Sequence, residues 1–271
     1  MRIGKISSVF IIVVIGILIS CTAAKKSSMS KKFAKNPVVA HRGAFKKNGF
    51  PENSIASLKE AIRLKCTGSE FDVRMTVDDS LIINHDPHFN KLEIEKTTYA
   101  ELSLYKLSNG EKLPTLREYI LAGLADNTLT RLVLEIKPSG LGKERGKLIA
   151  ERSVALVKEL KAVPMTVYIS FDYDILKKVI EIDPGASTQY LNGEKSPEQL
   201  KADGITGADY HFSVFKKNPG WIEEAKKYKL ILNAWTVNDA ETMDWLLKNG
   251  FDFITTNEPE LLLEKTTGSA K

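Results

Sequence analysis

The sequence predicts an α/β fold: a closed (β/α)8 TIM barrel with a small insertion after the second strand. Three observations carry that expectation. Short apolar runs alternate with helix-patterned stretches eight times between residues 37 and 256, the signature of parallel strands joined by helices. The stretch left after the N-terminal leader is about the length one such barrel needs. No Gly/Pro/Ser-rich linker interrupts it, so a single domain over 37–265 is expected. An open doubly wound sheet is the alternative that the same alternation allows.

The elements follow in order. Val38-Val39-Ala40 makes 37–41 the first strand, and His41 closes it. Asn53 is placed to cap a helix over 53–65. In 69–73, Glu70 and Asp72 share one face and Phe71 and Val73 the other. Asp78-Asp79-Ser80 is a turn. It returns the chain as Leu81-Ile82-Ile83-Asn84-His85, the second arm of a hairpin-like excursion. Residues 86–113 then form an irregular insertion. Helices are expected over 115–125, 143–161, 173–182, 196–202, 218–228 and 239–248, alternating with strands over 131–136, 166–171, 187–191, 205–211, 230–235 and 252–256. Asn238 reads as the cap of the last of these helices and Asn249-Gly250 as its stop.

Residues 1–20 are expected to lie outside the fold. Arg2 and Lys5 precede an apolar run from Val9 to Ile19, which is too short to span a bilayer at the roughly twenty residues required. That is the pattern of a signal peptide. The run ends in Leu18-Ile19-Ser20-Cys21, similar to a bacterial lipobox, which makes Cys21 the candidate lipidation site. Residues 21–36 read as a flexible tether. The expected location is therefore the bacterial cell envelope, outside the cytoplasm, with the membrane as a partner through an N-terminal lipid anchor. Lipidation of Cys21 leaves Cys66 alone, so no intramolecular disulfide is expected and Cys66 is assigned to the core. Losing Arg2 and Lys5 takes the formal charge from +5 to +3, which gives no support for nucleic-acid binding.

Three of the four histidines fall between residues 41 and 88. His41 and His85 each end an apolar strand, where a barrel places its chemistry. Glu70, Asp72 and Glu135 also lie near strand ends and face inward, and buried carboxylates need neutralising. A hard divalent cation, Ca²⁺ or Mg²⁺, suits three such oxygens. Arg42 and Lys137 add positive charge fitted to phosphate oxygens. Two histidines beside a cation and basic groups suit phosphodiester cleavage, one taking a proton and the other giving one. Singly, each piece also fits a turn, a solvated edge or a salt bridge; together and in order they point to one site. His88 and His211 lack such company and are read as structural or surface residues.

The ordered motifs His41-Arg42-Gly43, Pro51-Glu52-Asn53-Ser54, Glu70-Phe71-Asp72-Val73, His85-Asp86 and Glu135-Ile136-Lys137 resemble the glycerophosphodiester phosphodiesterase family. Ser170-Phe171, Ala234-Trp235-Thr236-Val237-Asn238 and Phe253-Ile254-Thr255-Thr256-Asn257 extend the resemblance over about residues 37–260. It implies metal-dependent hydrolysis of glycerophosphodiesters to sn-glycerol 3-phosphate and an alcohol. It implies that His41 and His85 are the acid–base pair, that Glu70, Asp72 and Glu135 bind the metal, and that Arg42 and Lys137 contact phosphate. Trp235 would pack against the glycerol carbons, or simply fill the core. Glu52 is either a site residue or the group that orients Arg42. Ser54 stands where the family usually has threonine, and Pro87–Thr98 departs from the usual continuation, which bears on the leaving group. A phospholipase C- or D-like hydrolase acting on intact lipid, and a non-catalytic lipoprotein binding a phosphorylated solute, are the competing functions.

Overall fold

The computed structural model describes Met1 and residues 33–268. The chain divides into Met1–Ser30 and Lys31–Lys271, and the fold is that of the second unit. The expected signal peptide 1–20 beyond Met1, the candidate lipidation site Cys21 and the expected tether as far as residue 32 lie outside the described residues.

Eight parallel strands close into a ring. They are β1 (Val38–Ala40), β2 (Gly68–Met75), β6 (Arg131–Ile136), β7 (Thr166–Ser170), β8 (Ser187–Tyr190), β9 (Gly207–His211), β10 (Ile231–Trp235) and β11 (Phe253–Thr256). Each pairs with the next, and β11 closes on β1 with Val39 opposite Thr255. Helices return the chain between strands: α1 (Ile55–Arg63), α3 (Leu116–Leu124), α4 (Lys143–Glu159), α5 (Tyr173–Ile182), α6 (Pro197–Ala202), α7 (Phe212–Lys217), α8 (Gly220–Tyr228), α9 (Ala240–Lys248) and α10 (Pro259–Gly268). The expected hairpin is present: β3 (Leu81–Ile83) runs antiparallel to β2, outside the ring.

Two apolar layers hold the ring. Val39, Val133, Val167, Ile169 and Leu191 fill its interior. Leu132, Leu134 and Ile136 alternate with them along β6 and pack outward, in one cluster with Ile149 and Val154 of α4. Burial of side chains this size contributes roughly 1.5–3 kcal/mol each. Cys66 is a fully buried core residue, as expected, and burial pushes its thiol up to about 12.

Three expectations are corrected. Asn53 does not cap α1: Ser54 does, with its hydroxyl accepting from Ser57 N. Asn53 is in the left-handed region at φ 58° and turned into the barrel. Asn238 does not cap α9, because Asp239 accepts from Thr242 N instead. The insertion 86–113 is not wholly irregular. It holds a hairpin, β4 (His88–Phe89) and β5 (Leu92–Glu93), a 3-10 turn at Ile94–Lys96 and the short helix α2 (Tyr99–Leu102). Ile82, Ile94, Leu102 and Leu113 give that segment its own small core. It is fastened to the barrel by Glu95, whose carboxylate accepts from Ser139 Oγ at 2.5 Å and Gly140 N at 2.8 Å in the loop after β6.

At the other end of the ring, Asn36 joins the chain's entry to the start of the barrel. Its Oδ1 accepts from Val38 N and Thr67 N, and its Nδ2 donates to Lys65 O. Phe33 lies against the Arg131 guanidinium at 3.8 Å. The chain therefore enters at the foot, opposite the rim that carries His41.

Candidate active site

His41 follows β1 at the C-terminal rim, where a barrel gathers groups from several strands. Its Nδ1 meets Asn257 Oδ1 at 2.7 Å. An amide oxygen only accepts, so Nδ1 carries the proton and Nε2 presents its lone pair. Nε2 faces Glu70 Oε2 at 3.9 Å. Burial, assisted by the neighbouring Arg42 charge, lowers the imidazole to about 4, against the opposing pull of Asn257 and Asp72. His41 is thus a neutral base at neutral pH. Asn257 is itself held, because Asn238 Oδ1 accepts its backbone N–H at 2.8 Å. The sequence reading quotes both asparagines but gives neither a part in orienting His41.

The turn after His41 is forced by Gly43. Its φ of +81° suits glycine, and a Cβ there would lie 2.4 Å from Ser57 Oγ. The same turn puts Arg42 at φ 55° and aims its backbone N–H at Glu70 Oε2, 2.7 Å away. The Arg42 guanidinium lies 3.8 Å from Asp72 and is gripped by both oxygens of Glu52, at 2.9 and 2.8 Å. Of the two parts considered for Glu52, this contact is the one that orients Arg42.

Glu70, Asp72 and Glu135 offer carboxylate oxygens that all lie within 4.8 Å of one another. The register explains it: Asp72 is directly opposite Glu135 across β2–β6, and Glu70 is two residues earlier on the same face. Burial raises Glu70 well above the usual carboxylate range, and the charges of Asp72 and Glu135 add to it. Burial likewise brings Glu135 to about 7, with Asp72 adding and Lys137 opposing. Burial would raise Asp72 too, but Lys137, His85, Asn53 and Arg42 outweigh it and hold the group at about 2. Asn53 does so through a reciprocal pair, donating Nδ2 to Asp72 Oδ2 and accepting Asp72 N–H. Lys137 lies 2.7 Å from Glu135 and 3.2 Å from Asp72. Glu70 Oε1 is buried with no hydrogen-bond partner. Asp72 Oδ1 and Glu135 Oε1 are likewise buried without a hydrogen-bond partner, and three close acids with such oxygens fit a hard cation.

His85 follows β3 and faces the same opening. Its Nδ1 meets Asp86 Oδ1 at 2.8 Å. Arg74, unmarked in the sequence reading, donates twice to His85 O at 2.9 and 2.7 Å and fixes the segment. Trp235 stands on the inward face with Asn233, its Nε1 donating to Asp209 O at 2.8 Å. The Phe171 ring meets it edge-on at 5.3 Å. His41, Arg42, Glu70, His85, Glu135, Lys137 and Trp235 all line one cavity of about 120 Å³, and Asp72 lies beneath them. His88 is exposed, while His211 caps α7 and lies against Trp235. Neither lines the cavity.

A closed parallel barrel with acids, imidazoles and basic groups converging on its C-terminal rim defines an enzyme of the (β/α)8 class. The profile of the Glycerophosphoryl diester phosphodiesterase family matches residues 41–261. A glycerophosphodiester phosphodiesterase of Caldanaerobacter subterraneus subsp. tengcongensis is 30% identical over 246 residues, covering 84% of this chain and 97% of that protein. The crystal structure of a glycerophosphodiester phosphodiesterase from Parabacteroides distasonis superposes with a TM-score of 0.85 at 40% identity, over 88% of this chain and 100% of that one. An Oleispira antarctica phosphodiesterase, solved with its product sn-glycerol-3-phosphate, shares the fold at a TM-score of 0.71 and 24% identity, over 85% of this chain and 96% of that one. The chain belongs to the glycerophosphodiester phosphodiesterase family, enzymes that hydrolyse glycerophosphodiesters.

Proposed function

We propose that this enzyme cleaves glycerophosphodiesters to sn-glycerol 3-phosphate and an alcohol with a divalent cation, Ca²⁺ or Mg²⁺, and two histidines. The observation that carries the reading is the pair of imidazoles whose Nδ1 atoms are both occupied, by Asn257 and by Asp86. Their Nε2 atoms are left for proton transfer. His41 is the base, because burial keeps it neutral and Asn257 fixes its tautomer. His85 is the acid, because Asp86 occupies its Nδ1 and orients the ring with Nε2 toward the opening where the alcohol leaves.

In the reaction His41 takes a proton from the attacking water as the water oxygen bonds to phosphorus. His85 gives a proton to the alcohol oxygen as the second P–O bond breaks. Arg42 and Lys137 hold the phosphate oxygens and stabilise their charge. Trp235 lies along the glycerol carbons. Glu70, Asp72 and Glu135 would hold the cation, which supplies charge stabilisation at the phosphate when bound.

The N-terminal features support placement in the cell envelope, with Cys21 carrying the lipid. Labelled fatty-acid incorporation that disappears in Cys21→Ser tests this, and incorporation unchanged in that variant overturns it. The catalytic reading is tested by a hydrolysis panel: glycerophosphocholine, glycerophosphoethanolamine, glycerophosphoglycerol, glycerophosphoinositol and intact phospholipids, each with and without chelator. Turnover of the deacylated diesters, lost on chelation, is expected. No turnover on any diester would sink the reading, and turnover surviving complete chelation would sink the cation.

A further inference from the structure

Asp209 is the one carboxyl in the cavity lining outside the acid cluster. It sits on the inward face of β9, opposite Asn233. It is 1% exposed, and its Oδ1 has no hydrogen-bond partner. Away from the acid cluster the lining is largely apolar, with Ile169, Phe171, Leu191 and Trp235, and only the hydroxyls of Thr236 and Thr255 accompany Asp209. A buried carboxyl oxygen without a partner is costly, and an isolated one in a ligand cavity is the type of polar group that fixes a ligand's orientation.

Size and chemistry limit the ligand. An apolar cavity of ~150 Å³ holds a six-carbon ring in another protein. The cavity here, about 120 Å³, is of the scale of glycerol, which also has six heavy atoms. With the phosphate held by Arg42 and Lys137, the glycerol moiety is the part that reaches Asp209. Burial, with the Glu135 charge adding, keeps its carboxyl well above the usual range. A neutral acid both donates and accepts, which suits a hydroxyl better than an ammonium head group.

We propose that Asp209 binds a hydroxyl of the substrate's glycerol moiety and thereby selects glycerol esters over phosphate esters that lack that hydroxyl. This rests on the glycerophosphodiester reading of the same site. The test measures binding of sn-glycerol 3-phosphate, propyl phosphate and inorganic phosphate by calorimetry to the wild type, Asp209→Leu and Asp209→Asn.

The wild type is expected to bind glycerol 3-phosphate at least about 10-fold more tightly than propyl phosphate. Asp209→Leu should erase that preference while leaving propyl phosphate and inorganic phosphate within about 3-fold. Asp209→Asn, which keeps a donor and an acceptor, should retain most of it. Equal weakening of all three ligands, or an unchanged preference in Asp209→Leu, overturns the proposal. If the leucine variant does not fold, the wild type still decides, because no preference over propyl phosphate overturns it as well. Glycerophosphocholine hydrolysis by the wild type is scored separately, so failure of the reaction and failure of the Asp209 assignment are distinguishable.

Discussion

The two halves of the barrel interior treat buried polarity in opposite ways. From β1 through β6, it carries Glu70, Asp72, Glu135 and Lys137, all buried and charged or titrating, with His41 and Arg42 at the rim. From β7 to β11, it carries aromatic and aliphatic side chains, amides and hydroxyls that bond one another, and a carboxyl at Asp209. Asn233 donates to Gln189 and accepts from Thr255, at 3.4 and 3.3 Å. The second half is largely complete by itself. The first is not, since its acids repel one another and each leaves an oxygen without a hydrogen-bond partner. A site built for ligands is recognisable by that incompleteness, and the cation and phosphodiester proposed above are partners of the right charge.

The contrast would break most directly at the histidines. His41→Ala and His85→Ala should each lower kcat by about 10²–10⁴, the usual worth of a positioned acid or base, with the melting temperature little changed. Near-full activity in either variant would remove it from the acid–base pair.

Titration of the charged half gives the next effect. In the cation-free protein, burial brings Glu135 to about 7 and holds Glu70 well above the usual carboxylate range. Both lie above the roughly 4.3 of an unfolded chain. The folded form therefore holds more protons over that interval, so these groups favour folding below it and lose that contribution as pH rises through 7. Melting temperature should fall from pH 5 to 8 without cation and recover on adding Ca²⁺ or Mg²⁺. Cation affinity should rise over the same range, with calorimetry in two buffers recording proton release below pH 7. Binding that is independent of pH would contradict the acid cluster as the cation's home. Glu135→Gln should weaken the cation response in parallel with kcat.

The apolar half should answer through binding instead. Trp235→Ala is expected to raise KM about 10-fold with a smaller change in kcat, since packing on carbons is largely uniform between ground and transition states. Equal losses in kcat and kcat/KM would move Trp235 into the chemistry. Smallest is Glu95→Gln, which loosens the insertion from the Lys137–Gly140 loop. A loss of roughly 2- to 5-fold in kcat is expected, because the amide keeps one accepting oxygen and the weakened contact then costs about 0.5–1 kcal/mol. A null effect would mean that the insertion does not set the position of Lys137.

The same division governs what could be read from the amino acids alone. The charged half is legible because its groups come in short local motifs at strand ends, from His41 to Asp86, and because an inward Glu-x-Asp on a strand demands compensation. The (β/α)8 barrel is legible because its alternation is regular. The asparagines that serve the site are not, since Asn257, Asn238 and Asn53 act through hydrogen bonds that no spacing announces. Both misplaced helix caps have that origin: an asparagine beside a helix start looks like a cap whether or not it points elsewhere. Asp209 did leave a signal, an acid inside the buried run Gly207-Ala208-Asp209-Tyr210. Arg74 and Glu95 left none, since both act on backbone groups of segments distant in sequence.

The joint at Asn36 has a practical consequence. Phe33 and Lys35 lie at the foot of the ring, and the histidines open at the other end. An enzyme coupled to beads through a cysteine introduced at exposed Lys35 therefore turns its foot to the support and its catalytic opening to the bulk solution. Such beads should retain the kcat/KM of the free enzyme for small diesters, whereas coupling through a cysteine introduced at exposed Leu104 of the insertion should not.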